Sequence, residues 1–163
     1  MSSDAKDVRT ILVRGAREVA RRDGSRTIEA EHVLLALAAM EGNPAARLLA
    51  DAGLTENAIR AALDREWEQS LAVAGIAVRV DSLPQASPDH SHDPHIGESV
   101  RLLLKRSLDV PPKVGGTRIG SVRILAGLLD TDHGRVARAL QAAGVDRVAL
   151  RTRATEALAQ GAR

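Results

Sequence analysis

The chain has 163 residues, of which 23 are Lys or Arg and 21 are Asp or Glu, for a formal net charge of +2. It contains no cysteine, which excludes disulfide bonds, thiolate zinc sites and cysteine nucleophiles. With no Phe, no Tyr and one Trp, it also lacks the aromatic platforms on which single-stranded nucleic acids commonly stack.

The first half of the chain shows the apolar spacing of four successive helices. Apolar residues from Leu12 to Ala20 recur at helical intervals and are followed by a glycine, which predicts the first helix and its end. A second helix is expected from about Glu29 to Met40, and Pro44 is suited to the first turn of a third. The hydroxyl of Thr55 predicts the N-cap of a fourth helix.

Residues 70–95 interrupt this pattern. They include SLPQASPDHSHDPH, a composition typical of a partly disordered surface linker, and Val73 to Val80 is compatible with a short extended segment before it. The linker holds five side chains of types that bind metals: Asp89, His90, His92, Asp93 and His95. Because a linker does not hold such groups in a fixed geometry, we interpret them as solvated and expect no metal or other cofactor.

The second half repeats the first without a gap when the sequence is shifted by 91 residues. Most of the residues that meet an identical type are apolar or Gly, the types that determine packing and turns. They are Leu12, Val19, Gly24, Ile28, Leu34, Leu37, Ala46, Arg47, Leu49, Ala52, Gly53, Ala58 and Arg60. The chain is therefore predicted to contain an internal duplication.

Four helices are expected again from about Ile96 onward. Ser121 and Asp146 are the predicted N-caps of the second and fourth of them. The first of these helices is expected to be shorter than its counterpart, because Pro111-Pro112 falls where the first half continues as a helix.

Two stretches of the first half carry a recognisable pattern, IEAEHVLLAL at residues 28–37 and AARLLADAGL at residues 45–54. They resemble the Clp N-terminal repeat, whose runs read roughly YIGTEHLLLGLL and AARVLxxLGV. The second half has weaker copies of both, RIGSVRILAGLL at residues 118–129 and VARALQAAGV at residues 136–145. The resemblance covers nearly the whole chain except the linker.

The resemblance implies an all-α fold of two tandem four-helix repeats packed with pseudo-twofold symmetry. The repeats are expected at residues 4–69 and 96–161, with the linker at 70–95, within one Clp N-terminal-like domain of residues 1–163. In this family the domain precedes the AAA+ motor of unfoldases such as ClpA and ClpC. No Gly-x-x-x-x-Gly-Lys-Ser/Thr phosphate loop occurs here, so no ATP site is inferred and a stand-alone member is expected.

The function that the resemblance implies is non-catalytic protein binding. A Clp N-domain docks adaptors and degradation substrates in protein quality control and, in ClpC-like members, phosphorylated arginine. An alternative within binding is a free N-domain that acts as a decoy and sequesters adaptors or the cyclic peptide antibiotics that target this domain in relatives. The expected partner is thus a cytoplasmic protein: an adaptor, a client or a Clp unfoldase or protease component.

Glu31 is the first candidate for a ligand-binding residue. It lies in the predicted first turn of the second helix, where its carboxylate can accept a guanidinium while the helix N-terminus receives a phosphate. The matching Glu of ClpC-like relatives helps to form the phosphoarginine pocket. The family's usual Gly-Thr before this Glu is Glu29-Ala30 here, which removes a hydroxyl and adds a negative charge. The alternative is that Glu31 only stabilises the helix dipole.

Val122-Arg123 takes the place of the Glu-His pair in the second half. Because Val122 accepts no guanidinium, a second phosphoarginine pocket is not expected there. Arg123 is either an anion-binding residue or a solvated side chain on the helix face. The candidate ligand-binding residues are therefore Ala30, Glu31, His32 and Arg123.

No catalytic motif is recognisable in the sequence. His32 has no Ser or Cys nucleophile and Asp partner in a known arrangement, so it is expected to cap or pack at the helix start. Ser99 in GESV lacks the second Gly of a nucleophile elbow. We therefore expect no enzymatic activity.

Basic residues form a row on the predicted first helix and its loop: Arg14, Arg17, Arg21, Arg22 and Arg26. This row is a candidate contact for an acidic adaptor or for phosphate backbones, and the alternative is a solvated helix face. Nucleic-acid binding is therefore the competing function from another class, although the composition disfavours it. Trp67 is expected to fill core or inter-repeat space. No apolar run reaches the ~18 residues that would cross a membrane, so no membrane partner is expected.

Overall fold

The computed structural model describes residues 8–111 and 119–161. Within these ranges the chain is all-α, as predicted, with eight helices longer than one turn. They are α1 (π-helical Thr10–Ala16 continuing into α-helical Arg17–Arg22), α2 (Ala30–Ala39), α3 (Pro44–Asp51), α4 (Glu56–Val73), α5 (Glu98–Asp109), α6 (Ser121–Leu129), α7 (Arg135–Ala142) and α8 (Arg147–Gly161). The described regular structure also includes a 3₁₀ turn, Val80–Ser82, and two parallel strands, β1 (Thr27–Ile28) and β2 (His95–Ile96).

Most of the predicted helix starts are confirmed. Pro44 is the first residue of α3. The side chain of Thr55 accepts a first-turn N–H of α4 at 3.2 Å, and that of Asp146 accepts one of α8 at 2.9 Å. The N-cap predicted at Ser121 is wrong by one residue, because Gly120 caps α6 and the Ser121 side chain is buried inside its first turn.

The two repeats pack with pseudo-twofold symmetry. The first repeat consists of α1–α4 and the second of α5–α8, and α2 and α6 lie against each other between them. The fourth helix of each repeat packs on the third helix of the other, α4 on α7 and α8 on α3. One hydrophobic core runs through both repeats, and it contains leucines that the 91-residue shift pairs: Leu34 and Leu125, Leu37 and Leu128, and Leu49 and Leu140.

The two central helices are buried on nearly all sides. Every residue from His32 to Leu37 of α2 is buried, and so is every residue of α6 except Val122. A helix that is apolar all round needs neighbours on every side. Because α2 packs on helices of both repeats, each repeat completes the burial of the other's central helix.

The segment between α4 and α5 runs back along the first repeat. A short extended segment was predicted for Val73 to Val80. Val73 is instead the last residue of α4 and Val80 the first of the 3₁₀ turn, and residues 76–79 between them have no regular secondary structure. Farther along, the Asp89 N–H donates to the Arg21 carbonyl, and the Gly97 N–H donates to the Ile28 carbonyl, both at 2.9 Å. These bonds tie the end of the linker to the first repeat, close to the start of α2.

The first helix of the second repeat is shorter than its counterpart, as predicted. Shifted by 91 residues, the end of α1 at Arg22 corresponds to residue 113, four positions past the end of α5 at Asp109. Pro111 follows this end directly, and Pro112 lies outside the described residues. The ring of a proline cannot continue the helical hydrogen-bond pattern.

No single helix of the described residues is long and apolar enough to cross a membrane. The helices α2 and α3 meet the length and composition criteria only when taken together, and they are bent by 95° relative to each other.

In each repeat a glycine allows the first two helices to cross closely. It lies on the first helix in one repeat and on the second helix in the other. In the first repeat Gly15 of α1 faces Ala36, where an added Cβ would lie 2.9 Å from the Ala36 Cβ. In the second repeat the glycine is Gly127 of α6, the counterpart of Ala36. A Cβ there would lie 2.8 Å from the Ser107 backbone nitrogen and 2.9 Å from its Cα. The duplicated repeats therefore keep the close crossing with different residues.

The variant Gly127→Ala should lower the free energy of unfolding by about 1–3 kcal/mol, because the new methyl group overlaps backbone atoms of Ser107 and forces α5 and α6 apart. Urea unfolding followed by circular dichroism measures this loss. Leu108→Ala, at an exposed position of α5, is the control and should change stability by less than about 0.5 kcal/mol. Equal effects of the two variants would contradict the close-crossing explanation.

Candidate functional site

Three of the four predicted site residues, Ala30, Glu31 and His32, lie at the beginning of α2, where three other parts of the fold converge. Glu31 and His32 lie in its first turn. The loop after α1 brings Asp23 to this point, α4 brings Glu66, and α7 of the second repeat brings Arg135. The site is therefore built from both repeats.

His32 is part of the helix cap. It is 4% exposed, and it forms a capping box with Glu29. Its Nδ1 accepts the Glu29 N–H at 2.9 Å, which assigns the ring proton of the neutral imidazole to Nε2. That nitrogen lies 3.8 Å from the Asp23 Oδ2. These contacts agree with the interpretation of His32 as a capping residue.

Burial lowers the pKa of His32 below the ordinary imidazole value of 6.5. The carboxylates of Glu31, Asp23 and Glu29 act in the opposite direction, but they do not outweigh the loss of hydration. The neutral ring is thus the form that the fold stabilises, and it is also the form that can accept the capping hydrogen bond.

Glu31 holds a guanidinium that comes from the same chain. Its side chain is 13% exposed, and its Oε1 accepts a hydrogen bond from Arg135 Nη1 at 3.0 Å. The Arg135 Nε lies 3.4 Å from Oε2 of Glu66. The guanidinium of Arg135 therefore bridges two carboxylates of the first repeat from its position on the second.

Glu66 is the buried centre of this arrangement. Only 3% of the residue is exposed, and its Oε1 accepts bonds from Arg138 Nε at 2.7 Å and from the Ser70 hydroxyl at 2.8 Å. Burial acts to raise the pKa of Glu66, but these two hydrogen bonds and the neighbouring arginines outweigh it and hold the pKa below its usual range. We refer to Glu31, Glu66, Arg135 and Arg138 as the charge cluster.

The backbone N–H of Ala30 is capped by a hydroxyl group of the second repeat. Its N–H donates to Ser99 Oγ at 2.8 Å, and the Ser99 hydroxyl donates to the Glu29 carboxylate. The hydroxyl that the sequence lacks at position 30 is thus supplied by a residue of α5. A side chain at Gly97 would overlap the Glu29 carboxylate and would displace it from this cap.

Arg123 lies in a different environment from Glu31 and His32. It is buried, and its Nη1 donates to the Val110 carbonyl at the end of α5. Of its two interpretations, the solvated helix face does not agree with this burial. The structure brings Ala30, Glu31 and His32 together and places Arg123 in a separate, internal position.

A groove of about 1130 Å³ opens beside the charge cluster. It is lined by the loop after α1, the start of α2, α4 and the linker residues 79–81 and 83–86, together with Arg135 of α7. Trp67, predicted to fill core or inter-repeat space, is half-buried in its wall. Four further arginines line it: Arg22, Arg60, Arg65 and Arg79. We call this surface the α2–α4 groove.

Carboxylates already pair with much of the basic row of α1. Arg17 and Arg21 contact Asp93 of the linker at 3.3 and 3.1 Å, and Arg22 contacts Glu18 at 3.3 Å. This pairing reduces the positive potential that a nucleic-acid backbone would require.

The linker histidines do not assemble a metal site. No group of three or more His, Cys, Asp or Glu side chains with suitable positions occurs in residues 8–111 and 119–161. His92 instead contacts Asp89 at 2.9 Å. Hydrogen bonds from Ser91 and then His92 lower the pKa of Asp89 to about 2.

The sequence did not indicate Arg135, Glu66 or Ser99 as parts of the site. Under the 91-residue shift Arg135 corresponds to Pro44 and Glu66 to Ala157, so the repeat pattern contains no trace of them. One signal was available, because Glu66 follows Ile59 and Leu63 at helical spacing and is thus a carboxylate on the buried face of α4.

Stability should fall as the pH decreases below 6.5, and the decrease should be steeper than in His32→Gln. The unfolded chain protonates His32 at a higher pH than the folded chain does, so it binds more protons in this window and folding is disfavoured. Urea unfolding between pH 7.5 and about 5 measures the slope. His133→Gln removes an exposed imidazole and is the control. Parallel profiles for wild type and His32→Gln would contradict the buried neutral ring.

Comparison with known proteins gives consistent matches. Residues 7–120 match the family model of the Clp repeat (R) N-terminal domain. The N-terminal domain of the caseinolytic protease associated chaperone ClpD from Arabidopsis thaliana is similar, with a TM-score of 0.64 and 19% identity, covering 96% of this chain and 97% of that one. A chain from structural investigations of a malarial protein secretion system has a TM-score of 0.61 and 14% identity, covering 90% and 88%. At these identities the two structures support the fold.

Proposed function

The chain belongs to the family of Clp repeat N-terminal domains, which are generally non-catalytic modules that bind adaptor and substrate proteins, and we propose that it binds such proteins through the α2–α4 groove. A partner arginine enters the groove and places its guanidinium against Glu31. The observation that carries this proposal is the ion pair at 3.0 Å between Glu31 and Arg135, because a guanidinium already occupies the position.

The chemistry of the position agrees with this ligand. Glu31 is largely shielded from water at 13% exposure, and a carboxylate in such a place binds a planar guanidinium more strongly than one on an open surface. Its location in the first turn of α2 keeps the carboxylate fixed relative to the groove. The apolar wall with Trp67 offers a surface for the methylene groups of an arginine side chain.

Arginine-phosphorylated clients are the more specific form of the proposal. Two N–H groups at the start of α2 already have acceptors within the chain, since the Glu29 N–H donates to His32 and the Ala30 N–H donates to Ser99. We therefore assign the phosphate to an arginine of the groove, and Arg65 on α4 fits this role better than Arg60, because Arg60 already pairs with Asp23 and Glu56.

Isothermal titration calorimetry with phosphoarginine and with arginine amide tests the proposal. We expect both ligands to bind the wild-type protein and the affinity to fall by about tenfold or more in Glu31→Gln, because the variant removes the charge that the guanidinium requires. If Arg65 holds the phosphate, Arg65→Ala should weaken phosphoarginine binding and leave arginine amide binding nearly unchanged.

Glu18→Gln is the matched control, because it removes an exposed carboxylate on α1 that pairs with Arg22 on the same helix. It should retain the affinity of the wild type for both ligands. Unchanged affinity in Glu31→Gln, or no heat of binding at millimolar ligand in the wild type, would overturn the assignment of Glu31 as the guanidinium acceptor.

A further inference from the structure

We infer that Arg135 is an internal competitor for the guanidinium site, so that a partner arginine binds at Glu31 only by displacing it. This inference rests on the proposed function, since it assumes that Glu31 accepts an arginine from a partner. The guanidinium acceptor, Glu31, lies in the first repeat, and the residue that regulates access to it, Arg135, lies in the second.

The geometry makes the two guanidinium groups mutually exclusive. Arg135 is the first residue of α7, and its side chain crosses the boundary between the repeats to reach Glu31. Its Nη1 binds Oε1 of Glu31 at 3.0 Å, and the carboxylate retains little exposure for a second guanidinium. Glu31 and Arg135 both line the α2–α4 groove, so a ligand there meets this carboxylate together with its bound guanidinium.

The hydrogen bond of Arg135 to Glu31, at 3.0 Å, is longer than that of its neighbour Arg138 to Glu66, at 2.7 Å. The Nε of Arg135 is buried and has no hydrogen-bond acceptor, because its 3.4 Å approach to Glu66 is poorly oriented. Arg138, in contrast, holds Glu66 through a bond of 2.7 Å. When Arg135 leaves, Glu66 loses a contact of 3.4 Å but keeps its hydrogen bonds from Arg138 and Ser70, whereas Glu31 requires a new partner. An incoming arginine provides that partner.

The arrangement exists in one repeat only. Under the 91-residue shift, Glu31 corresponds to Val122 and Arg135 corresponds to Pro44. The pairing of Glu31 with Arg135 therefore has no equivalent at the matching positions of the other repeat. The release of Arg135 also removes a contact between the repeats, so ligand binding and the inter-repeat charge cluster are linked.

Chemical-shift titration with the peptide acetyl-Gly-Arg-Gly amide tests the inference, using wild type, Arg135→Ala and Arg138→Ala. Both variants lose one positive charge near the cluster, but only the first vacates Glu31. We expect Arg135→Ala to bind the peptide roughly three- to tenfold more tightly than wild type, because the competing state is gone. Arg138→Ala should show no such gain. An equal increase in peptide affinity in both variants would mean that the change in net charge causes it, and would overturn the inference.

The double variant Glu31→Gln, Arg135→Ala separates this inference from the proposed function. Loss of binding in the double variant, together with a gain in Arg135→Ala, supports both. Loss in the double variant without a gain in Arg135→Ala overturns the competitor and leaves Glu31 as the acceptor. Binding that persists in the double variant, or is absent from every variant, overturns both. Arg135→Gln repeats the test should thermal unfolding show that Arg135→Ala does not fold.

Discussion

The fold depends on the burial of two central helices that are apolar on nearly every side. Neither α2 nor α6 exposes a polar face to water, so each must be covered by helices of both repeats. This requirement explains the exchange of contacts between third and fourth helices, and it explains why one core contains residues of both halves. It also restricts polar chemistry on α2 to its ends, and at the N-terminal end the helix emerges beside the groove.

The chemistry of the site follows from this position. A helix start with a buried first turn needs internal caps, and Glu29, His32 and Ser99 provide them. The carboxylate of Glu31 then remains to be neutralised, because a partly buried charge without a partner is costly. Arg135 fulfils this need across the repeat boundary. This contact joins the two repeats, and in the exchange that we propose it is the one that an external guanidinium replaces.

The sequence predicted the fold well because the duplication and the apolar spacing are visible in the order of residues and determine which helices form and which faces they bury. The structure has the two repeats that the 91-residue shift predicted. It also has the early end of α5 before the prolines and the caps at Thr55 and Asp146, which follow from local helix geometry. Ser121 was misplaced because a serine next to a glycine leaves two candidates for one N-cap. Such errors remain small as long as the helical pattern is strong.

The site was less predictable because its partners are distant in sequence. Glu31 was recognisable from its place at a helix start, but Arg135 is 104 residues away and has no equivalent in the first repeat. Arg123 was considered as a surface residue, whereas tertiary packing buries it and directs it to the Val110 carbonyl. Pairing of charges across a pseudo-twofold interface is decided by the packing, and one-dimensional spacing contains little information about it.

The central claim is that an arginine of a partner and Arg135 exchange places at Glu31. Side-chain NMR of the Arg135 Nη groups, one of which donates to Glu31, observes this exchange in the wild-type protein, with Glu31→Ala as the reference for a guanidinium that has lost this acceptor. Saturation with the arginine peptide should move the Arg135 resonances to their positions in Glu31→Ala. A peptide that binds in the groove while the Arg135 resonance stays unchanged would contradict the account.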